Sequence, residues 1–334
     1  MRLRQVAAPV IGAMMFCASV GLVQPVATAD QERQVEFVIT DDRIAGSSGL
    51  AADPVNQVYW TMNDVGDPGV VYAVDKSGKT VGTLRYDAAP TDVESIAYSD
   101  GRLYVGDTGG NREKRPVFTV YEFTRPRPDN SVQPFRALRF SYPDGPHDTE
   151  AMLVDSHGRF TFVTKGAEQG LIFTAPAQLS STEPNPLTQV GEAPQYVTDG
   201  TVLADGRMIL RNYVAVFRLD PASWQIVAAA GTPPLKQGES VTAPLRGRGL
   251  LIGSEGKESE VLRVPVPTTL GRLPTIANSP AVEPSASATP SASPEQHPDS
   301  GQTTGLFVYG AGGLLVAAGL ATVFLRRRGG RASK

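Results

Sequence analysis

Cysteine and histidine are almost absent from this chain of 334 residues: there is one Cys, Cys17, and three His. A form lacking the first 29 residues has no thiol at all. That excludes a disulfide framework, thiolate zinc sites, iron–sulfur clusters and a cysteine nucleophile. Other signatures are missing too. No Gly-x-Ser-x-Gly elbow occurs, because Gly46-Ser47-Ser48-Gly49 and Gly253-Ser254-Glu255-Gly256 have the wrong spacing. No phosphate-binding glycine loop of the Walker or dinucleotide type is present. Positive charge is scarce in the middle of the chain. Seven of the 31 basic residues lie at the two ends, so residues 30–304 carry 24 basic residues against all 34 acidic ones, a net charge of −10. Such a body repels nucleic acid and anionic membrane surfaces, and it suits cations or neutral sugars.

Both ends read as addresses. In residues 1–29, Arg2 and Arg4 precede an apolar stretch and Ala27-Thr28-Ala29 offers a cleavage site, the pattern of a secretory signal peptide. Residues 305–325 hold 21 uncharged residues, which as a helix rising 1.5 Å per residue span a bilayer core of about 30 Å. Arg326, Arg327 and Arg328 follow and open a basic cytoplasmic tail, residues 326–334. Residues 278–304 are rich in Pro, Ser and Ala and form no core, so they are expected to be a solvated stalk. The expected protein is therefore a single-pass membrane protein with an extracellular body, residues 30–277. The stretch His297-Pro298-Asp299-Ser300-Gly301 before the span resembles a Gram-positive cell-wall sorting signal. Pro298, Asp299 and Gly301 match it, Ser300 nearly so, and His297 departs from the usual Leu. Covalent attachment to the wall and a permanent membrane anchor both remain open.

The body lacks helical periodicity. Short β-rich runs alternate with Asp-Gly, Ser-Gly and Pro turns, as in an all-β domain. A unit recurs in them: SSGLAADPVNQVYWTMNDVGD, DVESIAYSDGRLYVGDTGGN, DTEAMLVDSHGRFTFVTKG, VTDGTVLADGRMILRNY and GESVTAPLRGRGLLIGSEG. The units begin near Ser48, Glu94, Glu150, Asp199 and Glu239, at intervals of 46, 56, 49 and 40 residues. Four-stranded units of that length make the blades of a β-propeller. Five blades are favoured, and six are possible if the long second unit conceals another. The last unit lacks an outer strand, and the run QVEFVIT (Gln34 to Thr40) is unclaimed. It is expected to complete the last blade and close the ring, which hides open sheet edges.

In such a unit the first strand starts, and the antiparallel second strand ends, at the same mouth of the central channel. The polar residues at these boundaries should form a ring: Asn63 and Asp64; Asp92, Glu94, Asp107 and Asn111; Asp148, Glu150 and Lys165; Asp199 and Arg211; Glu239 and Glu255. Polar strand ends can simply be wet turn positions. That does not account for Glu two residues after Asp at both Asp92/Glu94 and Asp148/Glu150, nor for Lys165 and Arg211 opposite carboxylates. Carboxylates without thiols suit a hard cation such as Ca²⁺, with Glu94, Asp107 and Glu150 as candidate ligands. The same groups could hydrogen-bond a glycan or a peptide, or work as an acid–base pair on a glycoside or phosphoester. His147 beside Asp148 could serve a serine as base, or be an exposed turn residue.

The ordered motifs SSGLAADP, YWTMNDVGD, DVESIAYSDGRLYVGDTGGN, DTEAMLV, VTDGTVLADGR and GESVTAPLRGRGLLIGSEG resemble a family of secreted actinobacterial β-propeller proteins labelled WD-repeat-like. A more distant resemblance is to phytase-like esterase propellers. The resemblance implies a propeller and secretion, and it brings no substrate and no catalytic residues. The reading is a cell-surface binding module with an acidic funnel. The alternatives are a Ca²⁺-assisted hydrolase at that funnel and a structural surface protein.

Overall fold

The computed structural model describes residues 33–64, 69–110, 115–274 and 276. The expected signal peptide, stalk, span and tail, and Asn111 of the candidate ring, lie outside the described residues. Among the described residues no helix is long and apolar enough to cross a membrane.

The described body is a five-bladed β-propeller. Strand β1 (Gln34–Val38) comes first in the chain but belongs to the last blade. Blade 1 is built from β2 (Ala51–Asp53), β3 (Val58–Thr61), β4 (Val70–Val74) and β5 (Thr80–Arg85). Blade 2 holds β6 (Ser95–Ser99), β7 (Arg102–Asp107), β8 (Val117–Thr124) and β9 (Arg136–Ser141). Blade 3 holds β10 (Thr149–Val154), β11 (Phe160–Thr164) and β12 (Gly170–Thr174). The short β13 (Asn185–Pro186) runs parallel to β9 and makes blade 2 five-stranded; β14 (Thr188–Ala193) then completes blade 3. Blade 4 is β15 (Val197–Val202), β16 (Met208–Asn212), β17 (Ala215–Leu219) and β18 (Ile226–Gly231). Blade 5 is β19 (Gly238–Thr242), β20 (Leu250–Ser254), β21 (Glu260–Val264) and β1. The extra length of the second unit therefore hides no sixth blade; it supplies the long β8–β9 hairpin. The inner strands β2, β6, β10, β15 and β19 each neighbour the next, and β19 returns to β2.

Why these runs read as almost continuously apolar follows from the stacking. A strand's side chains alternate between its two faces, and every blade is covered on both. In β7, Leu103 and Val105 face blade 1 while Tyr104 faces blade 3. In β16, Met208 and Leu210 face blade 3 while Ile209 faces blade 5. The apolar interior accordingly divides into five layers, one per seam. The layer between blades 2 and 3 is the most aromatic, with Phe118, Phe140 and Phe162 in contact.

Closure matches the expectation. β1 pairs antiparallel with β21, and Phe37 packs at the seam between blades 5 and 1 against Tyr59, with ring centroids 5.3 Å apart. Gly78, in the β4–β5 turn at φ +86°, lies so close that a Cβ would stand 1.7 Å from the Val38 carbonyl oxygen. Blade 1 thus clamps the closing strand through a position only glycine fits.

Candidate functional site: an acidic funnel built by a repeated motif

Three blades bring the same local arrangement to one end of the channel. The carbonyls of Asp92, Asp148 and Gln237 accept the amides of Gly109, Lys165 and Glu255. Two residues after each carbonyl comes a glutamate: Glu94, Glu150 or Glu239. In blades 3 and 5 a β-bulge at the start of the inner strand leaves Glu150 and Glu239 outside the ladder register. Bulges turn a side chain away from its regular face. Blade 4 has the same bulge, and there the extra residue is Thr198.

All three glutamates are buried, at 7, 2 and 5% exposure for Glu94, Glu150 and Glu239. Their partners differ. Glu150 accepts a hydrogen bond from Lys165 Nζ at 3.0 Å, and that ammonium also lies 5.5 Å from the centre of the Tyr213 ring. Glu239 accepts from Gln237 Nε2 at 3.0 Å, and the same amide nitrogen donates to Glu255. Glu94 receives no hydrogen bond from any described residue. Its position equivalent to Lys165 is Gly109, where a Cβ would meet Asp92 Oδ2 at 2.4 Å and Glu94 Cγ at 2.8 Å.

The charges act on one another. Burial, then Glu150 and Asp92, push the Glu94 carboxyl well above the usual range, and Lys165 offsets only part of this. Burial raises Glu150 as well, against the pull of Lys165. Glu239 is raised by burial despite Lys165 and its bond from Gln237. Burial, Asp64 and Glu239 lift Glu255 to about 7. For Lys165, burial favours the neutral amine, but Glu150 and Glu239 outweigh it and hold the ammonium charged. Four glutamates thus surround one lysine, and removing ions from water costs several kcal/mol each unless they are paired. The carboxyls of the funnel are all raised by burial and by one another, and Glu94 is the least compensated.

The remaining ring positions divide. Asp64 faces Glu255 across Gly46, whose Cβ would come within 2.3 Å of Asp64 Oδ1 and 3.4 Å of Glu255 Oε1. Asp148 borders the cluster but accepts the Gly110 amide at 2.9 Å. Asn63 joins the Gly46 amide to the Arg43 carbonyl. Asp107 accepts the amides of Thr91 and Asp92 and pairs with Arg115 at 2.9 Å. Asp199, one residue past the blade 4 bulge, faces the seam, where it accepts the amides of Gly200 and Val241, each at 2.7 Å. Arg211 is fully buried and donates to the carbonyls of Ser240 and Gly253. Burial lowers it to about 10, so it remains a cation fixed between blades 4 and 5. Asn63, Asp107, Asp199 and Arg211 fasten blades and turns together.

Among the described residues, no three His, Cys, Asp or Glu are grouped as ligands for a metal ion. Asp107, expected beside Glu94 and Glu150 in such a set, is instead committed to two amides and Arg115. Two participants carried no obvious signal. Gln237 is neutral, yet it stands two residues before Glu239 as Asp92 does before Glu94. Tyr213 lies just beyond the end of β16.

No protein-family model matches the chain, and a search of curated proteins finds no match. Solved structures do resemble it. A glutaminyl cyclase of Myxococcus xanthus is 12% identical, with a TM-score of 0.43 over 69% of this chain and 96% of that one. A gluconolactonase of Xanthomonas campestris is 12% identical, with a TM-score of 0.44 over 67 and 88% of the two chains. A PQQ-bound aldose sugar dehydrogenase of Streptomyces coelicolor is 12% identical, with a TM-score of 0.42 over 69 and 96%. At such values these likenesses carry nothing about the chemistry of the funnel.

Proposed function

We propose that the protein is a binding module, displayed outside the cell on its stalk, whose funnel takes a ligand by its positive charge. One observation carries this reading. Glu94 occupies in blade 2 the place of Glu150 and Glu239, is buried at 7% exposure against their 2 and 5%, and has no side-chain hydrogen-bond donor among the described residues. A cation brought by the ligand would do at Glu94 what Lys165 does at Glu150. The body's net charge of −10 draws such ligands in. The ammonium group of a peptide or an amino sugar fits this chemistry, and so does Ca²⁺ with added oxygen ligands. The motif resemblance to secreted actinobacterial propellers supports a place outside the cell. Calorimetric titration of the full chain with Ca²⁺, glucosamine and a lysyl dipeptide tests the proposal. Saturable heat with one of them, lost in Glu94→Gln, is expected; no heat with any of them counts against it.

A second reading has its own support. Glu255 near 7 is a carboxyl suited to giving up a proton at neutral pH, as glycoside and phosphoester hydrolysis require, and burial raises Glu94 in the same funnel. Turnover of nitrophenyl glycosides or phosphates with a bell-shaped pH profile, abolished in Glu94→Gln, would favour it over simple binding.

A further inference from the structure

The end of the propeller opposite the funnel carries a second cleft. It lies at the seam of blades 2 and 3, where β6 ends and the β10–β11 turn begins, and it is an open cleft of about 590 Å³. That volume is in the usual range for small-molecule sites. Its centre is one buried carboxylate, Glu122, which takes hydrogen bonds from both Arg102 and Arg136. The register forces the meeting: Glu122 of β8 stands opposite Arg136 of β9, and Thr124 opposite Arg102 of β7.

The charges at this centre do not balance. Glu122 is 4% exposed in its side chain, whereas Arg102 and Arg136 are 43 and 50% exposed. One carboxylate faces two guanidiniums, and a guanidinium is always charged and has five donors. Arg102 bonds through Nη1 alone, and Arg136 through Nε and Nη2. Nε and Nη2 of Arg102 and Nη1 of Arg136 have no acceptor among the described residues. Asp100 on the rim is a second carboxylate that acts on Arg102 through water, but it accepts no hydrogen bond from either arginine, while Glu122 is fixed beneath the pair. Beside the two arginines the cleft is lined by the polar Ser99, Ser156 and His157 and by Ala177 and Leu179, with Tyr104 and Phe160 buried at its base.

We infer that this cleft is a binding site for a small organic anion, its carboxylate or phosphate head on the Arg102–Arg136 pair and its body against Ala177 and Leu179. Guanidinium groups favour both heads because two N–H bonds match two oxygens. Glu122 acts as the positioning group, since it fixes two long side chains in one orientation before a ligand arrives. This site is independent of the funnel, and it selects charge of the opposite sign.

The test is titration of the full chain with benzoate, phenyl phosphate and inorganic phosphate, followed by ligand-observed NMR. Saturable binding of benzoate or phenyl phosphate is expected, tighter than that of inorganic phosphate because only the organic anions reach Ala177 and Leu179. The relative affinities of benzoate and phenyl phosphate distinguish the two heads. Arg102→Gln/Arg136→Gln should weaken binding at least tenfold, and Glu94→Gln in the funnel should leave it unchanged. Ala177→Trp fills the cleft from an exposed position without touching the ion pairs, and it should also remove binding. The inference is overturned by absence of saturable binding up to the solubility of the probes. It is equally overturned by affinity that survives both the double variant and Ala177→Trp.

Discussion

Lys165 is the charge on which the funnel's internal balance turns. Its ammonium offsets Glu150 directly and Glu239 at longer range. Replacing it with Met leaves Glu150 buried without a counter-charge, and such losses typically cost about 3–5 kcal/mol. Chemical denaturation should show that loss, and the pair Lys165→Met/Glu150→Leu should recover most of it. The raised carboxyls set a pH dependence. A carboxyl whose folded pKa lies above its unfolded value stabilises the fold below the unfolded value, and this contribution is lost as pH rises through the folded one. For Glu255 that window runs from its ordinary range up to about 7. The melting temperature should therefore fall between pH 5 and pH 8, and Glu255→Gln should flatten the fall. Lys165 is raised and stays charged throughout that window, so it adds no slope there. The glutamates were legible in the sequence because Glu94, Glu150 and Glu239 recur at the start of an inner strand. Thr198 was not, because a one-residue bulge decides which of two neighbours turns to the mouth, and a shift of one reverses every face. Asp199 and Arg211 share the polar pattern of strand ends, yet their partners are carbonyls and amides of the next blade. No sequence spacing displays such contacts.

At the scale of elements, the blades were legible for a simple reason: each is a local meander of hairpins whose turns are marked by Asp and Gly. Asp75 accepts the amides of Ser77 and Lys79, and Asp155 those of His157 and Arg159, so the residue that ends one strand also shapes the turn to the next. The closing strand was legible as a surplus, one β-run too many at the start and one too few at the end. The edge covers were not. β13 pairs with β9 from a point more than forty residues further along the chain, and residue 132 bridges the edge of β5 at Arg85. The closing contact gives a test at this scale. Ala at Gly78 would bring a Cβ into the Val38 carbonyl and would need a positive φ. A strained backbone of that kind costs about 1–3 kcal/mol. Gly78→Ala should lower the melting temperature and speed hydrogen exchange in β1 and β21 before the other blades. Uniform exchange would mean that β1 is not the weak closure.

For the whole molecule, the ring explains how a site can consist of groups that destabilise it. The four glutamates come from three blades, and five apolar layers hold the blades in place. The scaffold can therefore retain a buried acid such as Glu94 that has no hydrogen-bond donor among the described residues. A ligand that neutralises the funnel should stabilise the entire fold, because a closed ring loses its site only by opening. Site saturation at 100 times the dissociation constant adds about 2.7 kcal/mol, or roughly 5–10 °C for a domain of this size. The most direct measurement is the melting temperature of the full chain at pH 7.5 in excess EDTA, then with Ca²⁺, glucosamine or a lysyl dipeptide, beside the Glu94→Gln variant. A rise of that order with a cationic ligand, absent in Glu94→Gln, is the predicted result. An unchanged midpoint with every cation, or an equal rise in the variant, would contradict a funnel that binds by charge.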